Sequence, residues 1–314
     1  MPVLPVQSTD TAHLIDSCHE SKQTPPLPYI GPSSAGITCD RALWYSFRWV
    51  SFPKHEGRII RLFRRGTMEE ETARQDLEAI GCVLIYTGKN QITLPLAPHV
   101  IGHPDGFVDN LPAAPKTRHV WECKTHNKKS FDLLEKEGVK KSKPGHWVQM
   151  NLYMHGTHLT RSLYYAVCKD DDRIYTERVE YSKKEAEEAL ARLSHIIFSD
   201  YAPARISDNP AWYECKMCGW FGICHQGKLP ARNCRTCLHS SPEPGHNNYD
   251  WHCALDDGPL NTDAQMAACR GHVPHPDLVP WVLVGDRCTK EAGYFEGIGL
   301  VGLGGVDSRE VLHD

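Results

Sequence analysis

The chain has 314 residues, 40% hydrophobic and 24% charged, which is too apolar for wholesale disorder and too long for a disulfide-held miniature fold. Its apolar stretches, such as 279–284, fall far short of the roughly 20 residues of a membrane span, and the opening Met-Pro-Val-Leu-Pro-Val-Gln lacks a secretory leader, so a cytoplasmic protein with no membrane partner is expected. The net charge of −4 is uneven, because residues 41–65 and 116–147 together carry +11 and the remainder −15, which leaves a local phosphate-binding surface open despite the acidic total.

Residues 1–30, with Pro2, Pro5, Pro25, Pro26 and Pro28, read as a flexible lead-in. Helices are predicted over 36–49, from the recurrence of Ile37, Leu43, Trp44 and Phe47, and over 61–80, closed by Gly81. Strands follow at 82–87, 91–94, 100–109 and 118–124, then a helix over 145–155 and a hairpin of 163–169 with 173–180. Ser182-Lys-Lys-Glu185 reads as a capping box that opens a helix to about residue 199. This order predicts an α/β fold with a mixed central sheet flanked by helices, formed by residues 31–226. Residues 227–281 read as a small cysteine-rich metal-binding module and 282–314 as a glycine-rich tail.

Two strand segments carry chemistry. In Val120-Trp-Glu-Cys-Lys124, Glu122 and Lys124 project from one face because strand side chains alternate with period two. If His103-Pro-Asp105-Gly pairs with it, Asp105 stands beside Glu122, and the two carboxylates with the Cys123 carbonyl suit a divalent cation. Lys124 can then orient or help deprotonate a water. Alone, Glu-x-Lys is an ordinary exposed strand pair. It is accompanied by the acids at Glu69 and Glu70, and by Gln149 and Tyr153 at i and i+4 on one helix face.

Taken in order, Gly66 to Glu70, Gly102-His-Pro-Asp105-Gly, Trp121-Glu-Cys-Lys124 and Gln149-x3-Tyr153 resemble the PD-(D/E)xK nuclease superfamily, in its RecB-like and phage exonuclease branch, across residues 31–226. The resemblance implies that Asp105 and Glu122, with Glu70 (or Glu69) from the preceding helix, bind Mg2+ or Mn2+. It implies Lys124 as the catalytic lysine and Gln149 and Tyr153 as members of a signature helix. The implied activity is exonucleolytic hydrolysis of linear DNA in phage-type recombination, in the host cytoplasm if the chain is phage-encoded. A single-strand annealing protein is an implied partner, and a homo-oligomer stays open. Arg58, Arg61, Arg64 and Arg65 can line a passage for a strand terminus, with Lys128, Lys129, Lys140, Lys141 and Lys143 holding the adjoining duplex.

In a reducing compartment thirteen cysteines suggest metal ligation rather than disulfides. Cys215-x2-Cys218-x5-Cys224 needs a distant fourth ligand, for which Cys39 is the natural candidate; the alternative is zinc held with His225. One cysteine before the core and three after it resemble the iron-sulfur staple of AddB and of the RecB-like nucleases of CRISPR adaptation, which implies a 4Fe–4S cluster. Cys234-x2-Cys237-x15-Cys253-x15-Cys269 reads as a structural Zn2+ site, with His239, His252, His272 and His275 able to replace one sulfur. Gly297-x-Gly299-x2-Gly302 lacks the following helix and acid of a dinucleotide site, and no phosphate-binding P-loop motif occurs. Two other readings remain: a DNA-trimming nuclease of the CRISPR-adaptation kind, and a non-catalytic zinc and DNA-binding module.

Overall fold

The computed structural model describes residues 10–22, 24–52, 54–245 and 249–312. Helices α1 (Asp10–Glu20), α2 (Asp40–Phe47) and α3 (Gly57–Ala79) lead into strands β1 (Val83–Ile85), β2 (Leu94–Ala97), β3 (Val100–Gly102), β4 (Gly106–Asp109) and β5 (His119–His126). After them come α4 (Lys128–Ser142), α5 (Pro144–Thr157), β6 (Arg161–Cys168), β7 (Ile174–Glu180) and α6 (Lys183–Ile197). The central sheet is mixed, in the order β1-β4-β5-β6-β7, with β5 and β6 parallel and the other pairs antiparallel. The parallel pair is bridged by α4 and α5, as a crossover between parallel strands requires.

Alternation along the strands divides the core. Val108, Trp121, Cys123, Leu163 and Tyr165 pack on Ala73 and Leu77 of α3. Their neighbours Phe107, Val120, Tyr164 and Ala166 pack on Phe131 and Leu134 of α4 and Met150 and Met154 of α5. The sheet is therefore covered on both faces, which explains why β5 and β6 are nearly continuous in burial. Each large side chain so buried contributes roughly 1.5–3 kcal/mol.

Several expectations are corrected. Of the lead-in, residues 1–9 lie outside the described residues, but 10–20 form α1 rather than an extended segment. It lies so close to α3 that a Cβ on Gly57 would sit 2.5 Å from the Asp16 backbone, and Glu20 accepts the Gly57 N–H at 2.8 Å. The predicted single strand over 100–109 is broken at His103-Pro104-Asp105, where proline has no N–H for a ladder. As a result β3 pairs with β2 while β4 joins the central sheet. Helix α4 was not anticipated; its pattern is interrupted by Gly138 at φ 72°. The Ser182 side chain makes no capping bond, and the Glu185 carboxylate instead takes the Trp147 indole and Lys140.

Beyond residue 200 the elements are short: α7 (Tyr213–Lys216), α8 (Phe221–Gln226), then β8 (Ser240–Pro242), β9 (Trp251–Cys253) and β10 (Gly258–Leu260) in one small antiparallel sheet, with α9 (Thr262–Ala267) following. Trp251 and Leu278 sit in the same apolar cluster as Leu43, Trp44 and Phe47 of α2, Leu152 of α5 and Leu193 of α6. This region thus shares a core with the earlier elements. The glycine-rich tail folds as a hairpin of β11 (Ala292–Phe295) and β12 (Gly299–Gly302). Gly302, at φ 124°, could not carry a Cβ, which would meet the Glu291 carbonyl at 2.6 Å. At the turn itself Gly297 (φ 78°) and Gly299 (φ 99°) take the left-handed backbone that favours glycine.

Candidate active site

The β3–β4 break places Asp105 against β5, where its Oδ2 accepts the Cys123 N–H at 2.8 Å. Period two sends Glu122 and Lys124 toward α5. Glu122 is fully buried and pairs with the Lys124 ammonium. From α5, Gln149 Nε2 donates to the same Glu122 oxygen, Oε1, at 2.7 Å, and lies 3.3 Å from the Tyr153 hydroxyl. Tyr153 donates to the His103 carbonyl at 3.1 Å, which ties α5 to the Asp105 turn. Gly102 permits this: a Cβ there would stand 2.6 Å from the Tyr153 ring.

The two candidate acids of α3 differ in the charges that act on them. Burial, then the Asp105 charge, pushes the Glu70 carboxyl up to about 7 against the pull of Lys124. Glu69 instead acts on Tyr165. Burial raises Glu122 to about 8, with Asp105 and Glu70 adding repulsion that Lys124 only partly offsets. Asp105 is raised by burial as well. Burial alone would lower Lys124, but Glu122 and Asp105 outweigh it and hold it as ammonium. Glu122 Oε2, buried without a partner beside the repelling charges of Asp105 and Glu70, is an oxygen that a divalent cation would satisfy.

A network behind Lys124 was missed. Tyr164 Oη lies 2.9 Å from His126 Nε2 and 2.8 Å from His146 Nδ1, and Ser130 Oγ lies 3.1 Å from His126 Nδ1. Burial, reinforced by nearby lysines, lowers His126 to about 4 and His146 to about 3. The alternation Glu122, Lys124, His126 was the signal that could have revealed it.

Among the basic residues, Arg58 and Arg64 are exposed on α3, Arg61 pairs with Asp16, and Arg65 donates to the Lys169 carbonyl at 3.0 Å. Lys128 pairs with Asp171 at 3.2 Å and Lys140 with Glu185 at 2.8 Å, while Lys141 is exposed. Lys129 and Lys143 line one surface cavity with Ser130.

Cys39, Cys215, Cys218 and Cys224 line a cavity of about 220 Å3 together with Tyr45 and His225. Cys39 precedes α2 as its N-cap, so this cavity joins chain segments some 176 positions apart. The His225 Nε2 is buried without a partner. Burial, then Cys269 and Cys253, raises the Cys234 thiol to about 11, and burial raises Cys237 to about 12. All thirteen cysteines are free thiols. Among the described residues, no three His, Cys, Asp or Glu side chains stand at the spacing a bound ion would impose. No described helix is long and apolar enough to cross a membrane.

Neither a protein-family model nor a curated protein matches this chain. Among solved structures, an alkaline exonuclease (LHK-Exo) from Laribacter hongkongensis is similar at 19% identity and a TM-score of 0.38, over 59% of this chain and 90% of that one. A phage-related exonuclease from Haemophilus somnus 129PT is similar at 15% identity and a TM-score of 0.35, over 52% and 78%. Likeness at this level is no guide to activity; the side-chain geometry is.

Proposed function

We propose that the chain is a metal-dependent deoxyribonuclease of the PD-(D/E)xK type that hydrolyses DNA from its ends. The observation that carries the reading is the convergence of Glu70 from α3, Asp105 from the β3–β4 break, Glu122 and Lys124 from β5 and Gln149 from α5 on one buried carboxyl group with an unsatisfied oxygen. A non-catalytic scaffold has no need to keep three repelling acids and a lysine together in its interior.

Glu70, Asp105 and Glu122, with the Cys123 carbonyl, would hold Mg2+ or Mn2+, which supplies charge neutralisation at phosphorus and a more acidic bound water. Gln149 occupies one Glu122 oxygen and leaves the other for the cation. Lys124, kept protonated by its carboxylate neighbours, acts by donating to the attacking water and the phosphoryl oxygens rather than as a base. A water oxygen adds to phosphorus and gives up a proton to solvent as the bond to the leaving sugar oxygen breaks and that oxygen takes a proton from solvent. Tyr153 holds the Asp105 turn in place. Arg58 and Arg64, on the first half of the helix that carries Glu70, supply sequence-independent phosphate contacts. Cys39, Cys215, Cys218 and Cys224 would together hold a 4Fe–4S cluster.

The test compares linear duplex with covalently closed circular DNA at equal salt, with and without Mg2+. Degradation of the linear form alone, and only with the cation, is expected. Equal loss of both forms would make the protein an endonuclease, and digestion unaffected by chelator would refute the metal site.

A further inference from the structure

Tyr164, His126 and His146 take no part in the proposed hydrolysis, yet they adjoin Lys124. In the parallel pair of β5 and β6, Glu122 lies opposite Tyr164, Lys124 opposite Ala166 and His126 opposite Cys168. The Tyr164 hydroxyl meets His126 Nε2 at 2.9 Å. Its side chain therefore runs along the strands from the level of Glu122 to that of His126, past Lys124 on the same face. Ala166, with no side chain beyond Cβ, leaves the room for it, and both residues are fully buried. On the other flank of β5 the ladder to β4 ends at the pair of Gly106 and Trp121, and the turn that carries Asp105 follows. Lys124 thus has the Tyr164 ring on its β6 side and the acids on the other.

The hydroxyl is held from two directions. Besides His126 it lies 2.8 Å from Nδ1 of His146, in the first turn of α5, and His126 Nδ1 is in turn 3.1 Å from Ser130 Oγ of α4. A phenol has one proton to give, so one imidazole accepts it and the other donates an N–H to the phenol oxygen. Burial, reinforced by nearby lysines, keeps both imidazoles neutral at neutral pH, so they add no charge beside the Lys124 ammonium. His146 precedes Gln149 by three residues, so one face of α5 meets Tyr164 with the first and Glu122 with the second. A lysine, with its flexible four-carbon stem, is otherwise free to turn away from the site.

We propose that Tyr164, fixed by His126 and His146, is a positioning residue for Lys124: its ring bars the lysine side chain from swinging toward β6 and keeps the ammonium paired with Glu122. This rests on the nuclease reading, because the ammonium so held is the one that donates to the attacking water and the phosphoryl oxygens. Tyr164 acts through Lys124 alone.

The experiment follows cleavage of end-labelled linear DNA by the full chain with Mg2+, in single turnovers with enzyme in excess so that slow variants can be read. Tyr164→Phe keeps the ring and removes the hydroxyl. Its maximal rate is expected to fall about tenfold, with the DNA and Mg2+ concentrations for half-maximal rate unchanged. In a Lys124→Ala background the same substitution should cost nothing further, whereas a general disturbance of the carboxylates would slow that protein as well. His146, at the start of α5, supplies a second pair of variants that does not depend on the folding of the first. His146→Leu should also lose about tenfold, and His146→Asn, whose amide can stand in for Nδ1, should recover most of it. A wild-type rate in Tyr164→Phe, an equal further loss in the Lys124→Ala background, or His146→Asn as slow as His146→Leu would overturn the positioning role. A wild-type protein that cleaves nothing with Mg2+ or Mn2+ would refute the nuclease reading itself.

Discussion

Glu122 receives both Lys124 and Gln149 on one oxygen and nothing on the other, at a fully buried position. Glu122→Gln keeps the shape and removes the charge a cation needs. Cleavage should fall by at least about 100-fold, while DNA binding, which depends on Lys and Arg contacts to phosphate, changes little. Lys124→Ala should be equally inactive yet still bind Mn2+, since the acids remain. Cleavage at wild-type rate in either variant, measured on end-labelled linear DNA, would refute the assignment. The raised Glu70 and Glu122 carboxyls have a further consequence. They are held protonated above their unfolded values, so in metal-free protein they reduce stability as pH rises from about 4.5 through 7 to 8.

At the scale of elements, what could be read in advance was whatever depends on local period. Alternation put Glu122 and Lys124 on one strand face, and i, i+4 spacing put Gln149 beside Tyr153; both relations recur in the structure. The hairpin of β6 and β7 was equally plain, because Asp170 to Asp172 separate an apolar run from one that alternates with charged residues. Features that depend on distant partners were hidden. Alternation could have placed His126 on the face of Glu122 and Lys124, but nothing local distinguishes His146 from a solvated histidine until β6 brings Tyr164 between the two. Helix α4 is rich in lysine and broken at Gly138, so its apolar period was masked and the stretch read only as a basic segment. The cavity between α2, α7 and α8 is another long-range product. If it holds a 4Fe–4S cluster, anaerobically purified protein should be brown, and Cys39→Ala or Cys215→Ala should lose the visible absorption and several degrees of melting temperature. A colourless wild-type protein with zinc in that cavity would favour the ligand set that uses His225.

Across the whole molecule, burial keeps histidines neutral in several separate places. His126 and His275 are lowered to about 4 and His146 and His272 to about 3, in each case first by burial and then by nearby positive charge. Unfolding returns them to ordinary histidines near 6.5. The unfolded chain therefore binds more protons below that pH, and the stability these groups supply above about 6.5 is lost as pH falls toward 4. Urea midpoints in the presence of Mg2+ should drop steadily from pH 7 to pH 4.5. A flat profile would show that these side chains are solvated.

Arg235 stands over the rings of Phe47, Trp49 and Trp251, an aromatic box that bears on the order of assembly. Its walls, Phe47 and Trp49, are made early in synthesis, whereas Arg235 and Trp251 emerge almost two hundred residues later. The residues from Asp105 to Tyr153 lie within one stretch of about fifty, so their contacts close a short loop. A growing chain can therefore bring these groups together well before the box is filled. Until then the far side of α2 is an open apolar surface on the ribosome, the kind of surface that chaperones cover.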